Sequence, residues 1–188
     1  TAYVIDACLE KGEAETIVLS LTSGQIPVMK REGNYWMKQN QPRFGQHLSA
    51  RALAAIVNLS EYEIDKKFPV EEVSTGLPFT IVPLRSLSAL RRAAIERSEY
   101  DQFIRSAWAK GILLFCRESY SGTQDLAARV FVDYLGIPED PATGSAMGCL
   151  GAYLLKHGYL GGNEVDISVG QGYEIGRPSS LFVQVSKS

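Results

Sequence analysis

An α+β fold is predicted for this chain, and three observations predict it. Short runs rich in valine, isoleucine and tyrosine recur along its length between turns bearing glycine, asparagine or proline, the pattern of many strands. Helical spacing of apolar residues is confined to a few segments. One of these, from Ser145 to Leu155, consists only of apolar or small residues, so it has no face suited to water and should be enclosed by sheet. Few helices among many strands favour α+β over a doubly wound arrangement.

In chain order, TAYVIDACLEKG (1–12) reads as a largely apolar helix ending in Lys11-Gly12. TIVLSLTSGQIPVMKREGNYWMKQNQP (16–42) alternates β-formers with SG and EGN turns, the signature of a β-meander. LSARALAAIVN (48–58) and SLSALRRAAIE (86–96) have helical spacing, each with a serine near its start as a candidate cap. EEVST (71–75) and FTIVPL (79–84) are strand candidates between them. A third helical stretch, YDQFIRSAWAKG, should end at Gly111, followed by the strands GILLFCRES (111–119) and DLAARVFVDYLG (125–136). EVDISVGQG (164–172) and PSSLFVQVSK (178–187) alternate as further strands.

The enclosed helix carries Gly148 and Gly151, each costing about 1 kcal/mol of helix propensity, which makes sense where strands press close. Lys156, His157 and Gly158 suit its C-terminus, a cation at the negative dipole end and a glycine free for the left-handed cap. At its other end Asp140-Pro141-Ala142-Thr143 turns into the helix, leaving the amides of Gly144, Ser145 and Ala146 as orphan donors. Thr143 can cap one of them. The rest suit an anion, with Gly144 allowing close approach and Ser145 adding a hydroxyl. A plain capped helix has the same local sequence, so both readings stand. The apolar helices ending at Gly12 and Gly158 also suggest a duplicated architecture.

The 188 residues suffice for one large domain or two small ones. Lys plus Arg number 19 against 21 Asp plus Glu, with no basic run, so neither nucleic acid nor anionic membrane is an expected partner. No apolar stretch approaches the roughly 18 to 20 residues of a membrane span. Cys8, Cys116 and Cys149 are widely spaced in apolar surroundings without zinc-like pairing, and read as reduced, buried thiols of a cytoplasmic protein.

EDPATGSAMGCLGAYLLKHG followed by VDISVGQGYEIGRPSSLFVQV, together with STG at 74–76 before FTIVPL and Arg129-Val130-Phe131, resembles the PhzF-like phenazine-biosynthesis family. Its fold is shared with diaminopimelate epimerase and proline racemase. The resemblance implies two pseudo-symmetric domains, each a sheet curled round a central apolar helix, with the site where the helix N-termini point. It assigns 1–46 to a remnant of the first domain and 47–188 to the second. Members usually extend upstream, with a glutamate in an Asn-Leu-Ser-Glu context, and downstream to a closing strand. The chain is therefore expected to be a fragment, a processed product or a short member. Asn58-Leu59-Ser60-Glu61 follows a different helix into a charged stretch and reads as a solvated turn.

By that resemblance the function is an isomerase or epimerase moving a proton on a small carboxylic acid, without metal or organic cofactor, this chain alone lacking the upstream glutamate. Asp140 is the candidate catalytic group, its alternative being a turn residue before proline. Thr143, Gly144 and Ser145 would bind substrate, joined by Thr75 and Gly76, although an ordinary strand-to-loop turn would read the same. Pro141 occupies the place of the thiol in cysteine-dependent relatives, so a two-thiol mechanism is not expected, and Cys149 reads as core. His47 reads as a cap or surface residue at a helix start. Arg177 could balance a substrate carboxylate or pair structurally. A non-catalytic member binding a small anion or a protein is the alternative function, and a ligand-free scaffold a third. The expected partners are a small carboxylate metabolite and either a second copy or a complementary chain, drawn to exposed sheet edges.

Overall fold

The computed structural model describes residues 16–21, 24–31 and 33–187. The predicted N-terminal helix and Cys8 lie outside them. Two compact units divide between Gln41 and Pro42, whereas the predicted boundary after residue 46 falls inside a strand.

In the first unit, β1 (Thr16–Leu21), β2 (Gly24–Arg31) and β3 (Asn34–Met37) form an antiparallel meander in that order, as the alternation predicts. Ile26 and Val28, two apart, are buried. Gly33 takes a positive φ of 77° in the β2–β3 turn.

The second unit is built on one sheet of eight strands: β4 (Arg43–Leu48), β5 (Val70–Ser74), β6 (Pro78–Pro83), β7 (Gly111–Cys116), β8 (Leu126–Val132), β9 (Ile137–Asp140), β10 (Glu164–Gln171) and β11 (Ser179–Ser186). Its order is β11-β10-β8-β7-β6-β5-β4. The β6–β7 and β8–β10 pairs are parallel and the others antiparallel. Strand β8 forks. On the edge away from β7 its first residues pair with β10 (Leu126 with Val169, Ala127 with Gly170), and its later ones pair with β9 (Val130 with Asp140).

Both faces of the sheet are covered, which is why β7 and β8 read as unbroken apolar runs. Leu113, Phe115, Leu126, Ala128 and Val130 meet α4 (Gly144–Lys156) on one face. Ile112, Leu114, Cys116, Ala127 and Phe131 meet α1 (Ala50–Ile56), α2 (Leu87–Arg92) and α3 (Arg97–Phe103) on the other. Ser49 and Ser86 cap α1 and α2 through their hydroxyls, accepting from Ala52 and Ala89. Helix α4 buries Ala146, Met147 and every residue from Cys149 to Leu154, fulfilling the expectation of a helix without a wet face. A Cβ at Gly151 would come within 2.6 Å of Val183 and 2.7 Å of Val185, so β11 does press against this glycine. Gly158 ends the helix at φ 59°.

Three local expectations are corrected. The third helix is α3, which starts earlier and stops at Phe103. Residues beyond it are held by the sheet instead: the Glu72 carboxylate accepts from the Ala109 amide at 2.9 Å, and the Thr80 hydroxyl donates to the Ala109 carbonyl at 3.1 Å. His47 lies in β4, not at a helix start, because residues 43–48 pair with β5. Strand β9 occupies 137–140, where no strand was expected and only Asp140 was placed, at the start of a turn. Asn58-Leu59-Ser60-Glu61 behaves as expected: Asn58 is left-handed, and Ser60 with Glu63 forms a capping box over the short 3-10 turn Glu61–Glu63.

Candidate active site

Strand β9 ends at Asp140, α4 begins at Gly144, and the three residues between them cross the mouth of the fork in β8. Thr143 stands at the N-cap position, but its hydroxyl does not cap. It donates to Asp140 Oδ2 at 2.5 Å, correcting the expectation that it satisfies a helix amide. The Thr143 carbonyl accepts from Met147 in the ordinary helical way. The amides of Gly144, Ser145 and Ala146 consequently have no acceptor among the described residues. Gly144 is exposed and Ser145 half-buried, so this end of the helix is open to small anions while the rest is sealed.

Gln171, the last residue of β10, completes the turn. It is fully buried; its Nε2 donates to the Asp140 carbonyl at 2.6 Å and to the Thr143 hydroxyl at 3.0 Å, and its Oε1 accepts from the Thr143 amide at 3.3 Å. Sequence reasoning gave this residue no role. A signal was present: Val165, Ile167, Val169 and Gln171 share one phase of the alternation, so a polar side chain occupies a position that the pattern reserves for the core. The next residue, Gly172, has φ 82°, and a Cβ there would clash with the Arg177 carbonyl oxygen and approach the Pro141 carbonyl oxygen to 2.9 Å. Residues 140–143 and 171–177 therefore interlock through their backbones.

The structure brings Asp140, Thr143, Gly144 and Ser145 together. Thr75 and Gly76 sit further along α4: the buried Thr75 hydroxyl is 3.7 Å from Cys149 Sγ, and Gly76 is exposed. Cys149 also donates to the Leu77 carbonyl, and burial pushes its thiol up from its ordinary value, consistent with a core residue. Burial likewise raises Cys116 to about 11. Arg177 is exposed; its amide closes the 172–177 turn on the Gly172 carbonyl, and no ion pair involves it among the described residues.

Two charge clusters with buried carboxylates flank α4, one of them beside the site. Arg129 on β8 holds the Glu139 carboxylate with two bonds of 2.9 and 2.7 Å, fixing the residue before Asp140, and donates to the Leu90, Arg91 and Ala93 carbonyls at the end of α2. Glu174, from the loop after Gly172, lies 3.7 Å from the same guanidinium and accepts from Tyr120 at 2.8 Å. At the far end of α4, Glu71 on β5 meets Lys156 at 2.5 Å and His157 at 2.7 Å, with His47 at 3.3 Å. Burial pushes the Glu71 carboxyl up, but the bonds and charges of Lys156 and His157 outweigh it and hold the pKa below its ordinary value.

Among the described residues no group of three or more His, Cys, Asp or Glu side chains is placed to hold a metal, and no helix is long and apolar enough to cross a membrane.

Known proteins are similar to this chain in sequence and in fold. An uncharacterized isomerase of Deinococcus radiodurans is 31% identical over 183 residues, which is 91% of this chain but 58% of that protein, so the chain spans about three fifths of its length. The trans-2,3-dihydro-3-hydroxyanthranilate isomerase of Pseudomonas chlororaphis is 33% identical over 122 residues, 64% of this chain and 40% of that one. The crystal structure of a PhzF-family phenazine biosynthesis protein from Bacillus anthracis superposes with a TM-score of 0.83 at 27% identity, covering all of this chain and 66% of that one. The family model for phenazine biosynthesis-like proteins matches residues 1–188, and with a shared fold and relatives named as isomerases, the chain belongs to that family.

Proposed function

We propose that this chain contributes the anion-binding turn and one acid-base group of an isomerase that moves a proton on a small carboxylic acid. The observation that carries the reading is the Asp140 carboxylate, tethered to Thr143 at 2.5 Å, immediately ahead of three helix amides without acceptors. A substrate carboxylate held by the amides of Gly144 and Ser145 would gain about 1.5 to 3 kcal/mol per charge-assisted bond, with the helix dipole adding to the attraction. Its carbon skeleton would then extend toward Asp140, whose Oδ1 has no hydrogen-bond partner among the described residues. A carboxylate so placed takes a proton from a carbon acidified by the neighbouring carboxyl and returns one elsewhere. Such a transfer needs neither metal nor organic cofactor, and a placed acid-base group is worth about a hundred- to ten-thousandfold in rate. The neighbouring Glu139 is committed to Arg129, so the second acid-base group is expected from another part of the protein. The names of the relatives support the isomerase class, and the Pseudomonas chlororaphis enzyme supplies a probe substrate for it.

A binding-only member is the second reading. It is favoured by Asp140 Oδ2 already serving the turn as the acceptor for Thr143. Asp140→Asn separates the two. On the proton-transfer reading, solvent-deuterium incorporation into trans-2,3-dihydro-3-hydroxyanthranilate by the complete, active protein falls at least about a hundredfold while the melting temperature stays within a few degrees. Unchanged turnover with a lowered melting temperature would leave Asp140 a turn residue.

A further inference from the structure

We infer that Gln171 and Thr143 are positioning residues for Asp140, holding its side chain in one rotamer with a single carboxylate oxygen left to face a substrate; the inference rests on Asp140 being the acid-base group proposed above. The Thr143 hydroxyl is held between two partners whose senses are determined. Gln171 Nε2 can only donate, so at 3.0 Å the hydroxyl oxygen accepts from it, and the hydroxyl proton is left for Asp140 Oδ2 at 2.5 Å. The orientation of the Gln171 amide is determined in turn. Its oxygen faces the Thr143 amide at 3.3 Å and its nitrogen faces the Asp140 carbonyl at 2.6 Å, and a flipped amide would oppose donor to donor and acceptor to acceptor.

One fully buried side chain thus dictates the direction of a short chain of hydrogen bonds that ends on the carboxylate. Oδ2 is occupied, Oδ1 is left for chemistry, and the carboxylate cannot turn about its Cβ–Cγ bond without breaking the contact with Thr143. The support is rigid because Gly172, next to Gln171, lies against the Pro141 backbone at a position where no side chain fits. Asp140 is half-buried and its turn contains the exposed Ala142, so without this tether the side chain would be free to sample other rotamers.

The test measures Asp140 side-chain conformers by NMR three-bond couplings in the parent, Thr143→Val, Thr143→Ser and Gln171→Met, beside turnover of trans-2,3-dihydro-3-hydroxyanthranilate by the complete, active protein carrying the same changes. The expected result is one Asp140 conformer in the parent and in Thr143→Ser, which keeps the hydroxyl, and averaging in Thr143→Val and Gln171→Met. In turnover, Thr143→Val should lower kcat about ten- to a hundredfold with KM nearly unchanged, Thr143→Ser should restore it, and Thr143→Val should add nothing to the loss in Asp140→Asn. A single Asp140 conformer in a folded Thr143→Val protein overturns the inference whether or not the probe is turned over. Loss of turnover in Asp140→Asn with full kcat in Thr143→Val overturns it too, and leaves the proposed function standing. Full turnover in Asp140→Asn removes the proposed function, and with it the inference.

Discussion

Replacing Arg129 by methionine keeps much of the side-chain volume and removes every polar bond it makes. The Arg129 and Glu139 side chains are 8% and 7% exposed, so the loss leaves a carboxylate inside the protein without its partner, and takes from the Leu90, Arg91 and Ala93 carbonyls the guanidinium that donates to them. Burial works against the charge on Arg129, but the bonds and charge of Glu139, with Glu174 beyond, hold its pKa above the ordinary arginine value, so the partner removed is a full cation. Breaking a buried ion pair from one side costs about 3 to 5 kcal/mol. In a unit of this size that is a fall of roughly 10 °C in melting temperature. Urea denaturation followed by circular dichroism would measure it for Arg129→Met, Glu139→Gln and the double variant. The double variant should be less unstable than the sum of the singles by about 1 kcal/mol or more, since it no longer buries an unpaired charge. A cost below about 1 kcal/mol for Arg129→Met, the range of an exposed pair, or strict additivity of the two changes, would refute the reasoning.

The remaining predictions concern α4. Because the folded-state pKa of Glu71 is lowered, its contribution to stability is present above the ordinary carboxylate value near 4.5 and is lost as pH falls through the folded value. Glu71→Gln should therefore lower the melting temperature at pH 7 and flatten its decline below about pH 4.5, as thermal melts across that range would record; an equal decline in parent and variant counts against it. Gly151→Ala gains about 1 kcal/mol of helix propensity but forces a methyl against Val183 and Val185, so a net loss of about 1 kcal/mol is expected. Val183→Ala in the same chain should relieve part of that loss, and a stabilised Gly151→Ala would show that β11 yields. Gly144→Val should abolish the binding of a small carboxylate such as benzoate, measured by calorimetry, with little change in melting temperature; equal binding by parent and variant would move the anion elsewhere.

What could be read from the sequence depended on whether the cause lay near or far along the chain. Helix α4 was legible because its eleven uncharged residues leave no alternative to burial, and Gly151 announced the close strand that β11 provides. The runs of β7 and β8 were legible as strands, though not as a two-faced sheet core. Strand β9 was not: Ile137-Pro138-Glu139-Asp140 has no apolar alternation and is held by β8 and by Arg129. Strand β4 was hidden for a similar reason, since five of its six residues are exposed and Gly45 breaks the pattern. The segment after α3, expected as helix, is instead held at Ala109 by Glu72, 37 residues away. At the site, Asp140, Gly144 and Ser145 followed from the turn and its resemblance, but the direction of the Thr143 hydroxyl did not. That direction is set by Gln171, 28 residues on, which local sequence cannot supply.

The fork in β8 works as a caliper. Gly170 is registered to Ala127 and Asp140 to Val130, so the spacing of Gly170 from Asp140, next to the strand ends that meet at the site, is set by three residues of a strand buried on both faces, roughly 10 Å. Length can vary in the loop that precedes β9 without altering that spacing, because the register of β8 and not the loop sets it. A single residue inserted into β8 between Ala127 and Val130 would instead displace one jaw relative to the other by a residue's rise and reverse which face its side chains present. The separation of Asp140 from the end of β10 is therefore a property of sheet register, insulated from the loop before β9, a kind of segment in which members of a family most readily diverge.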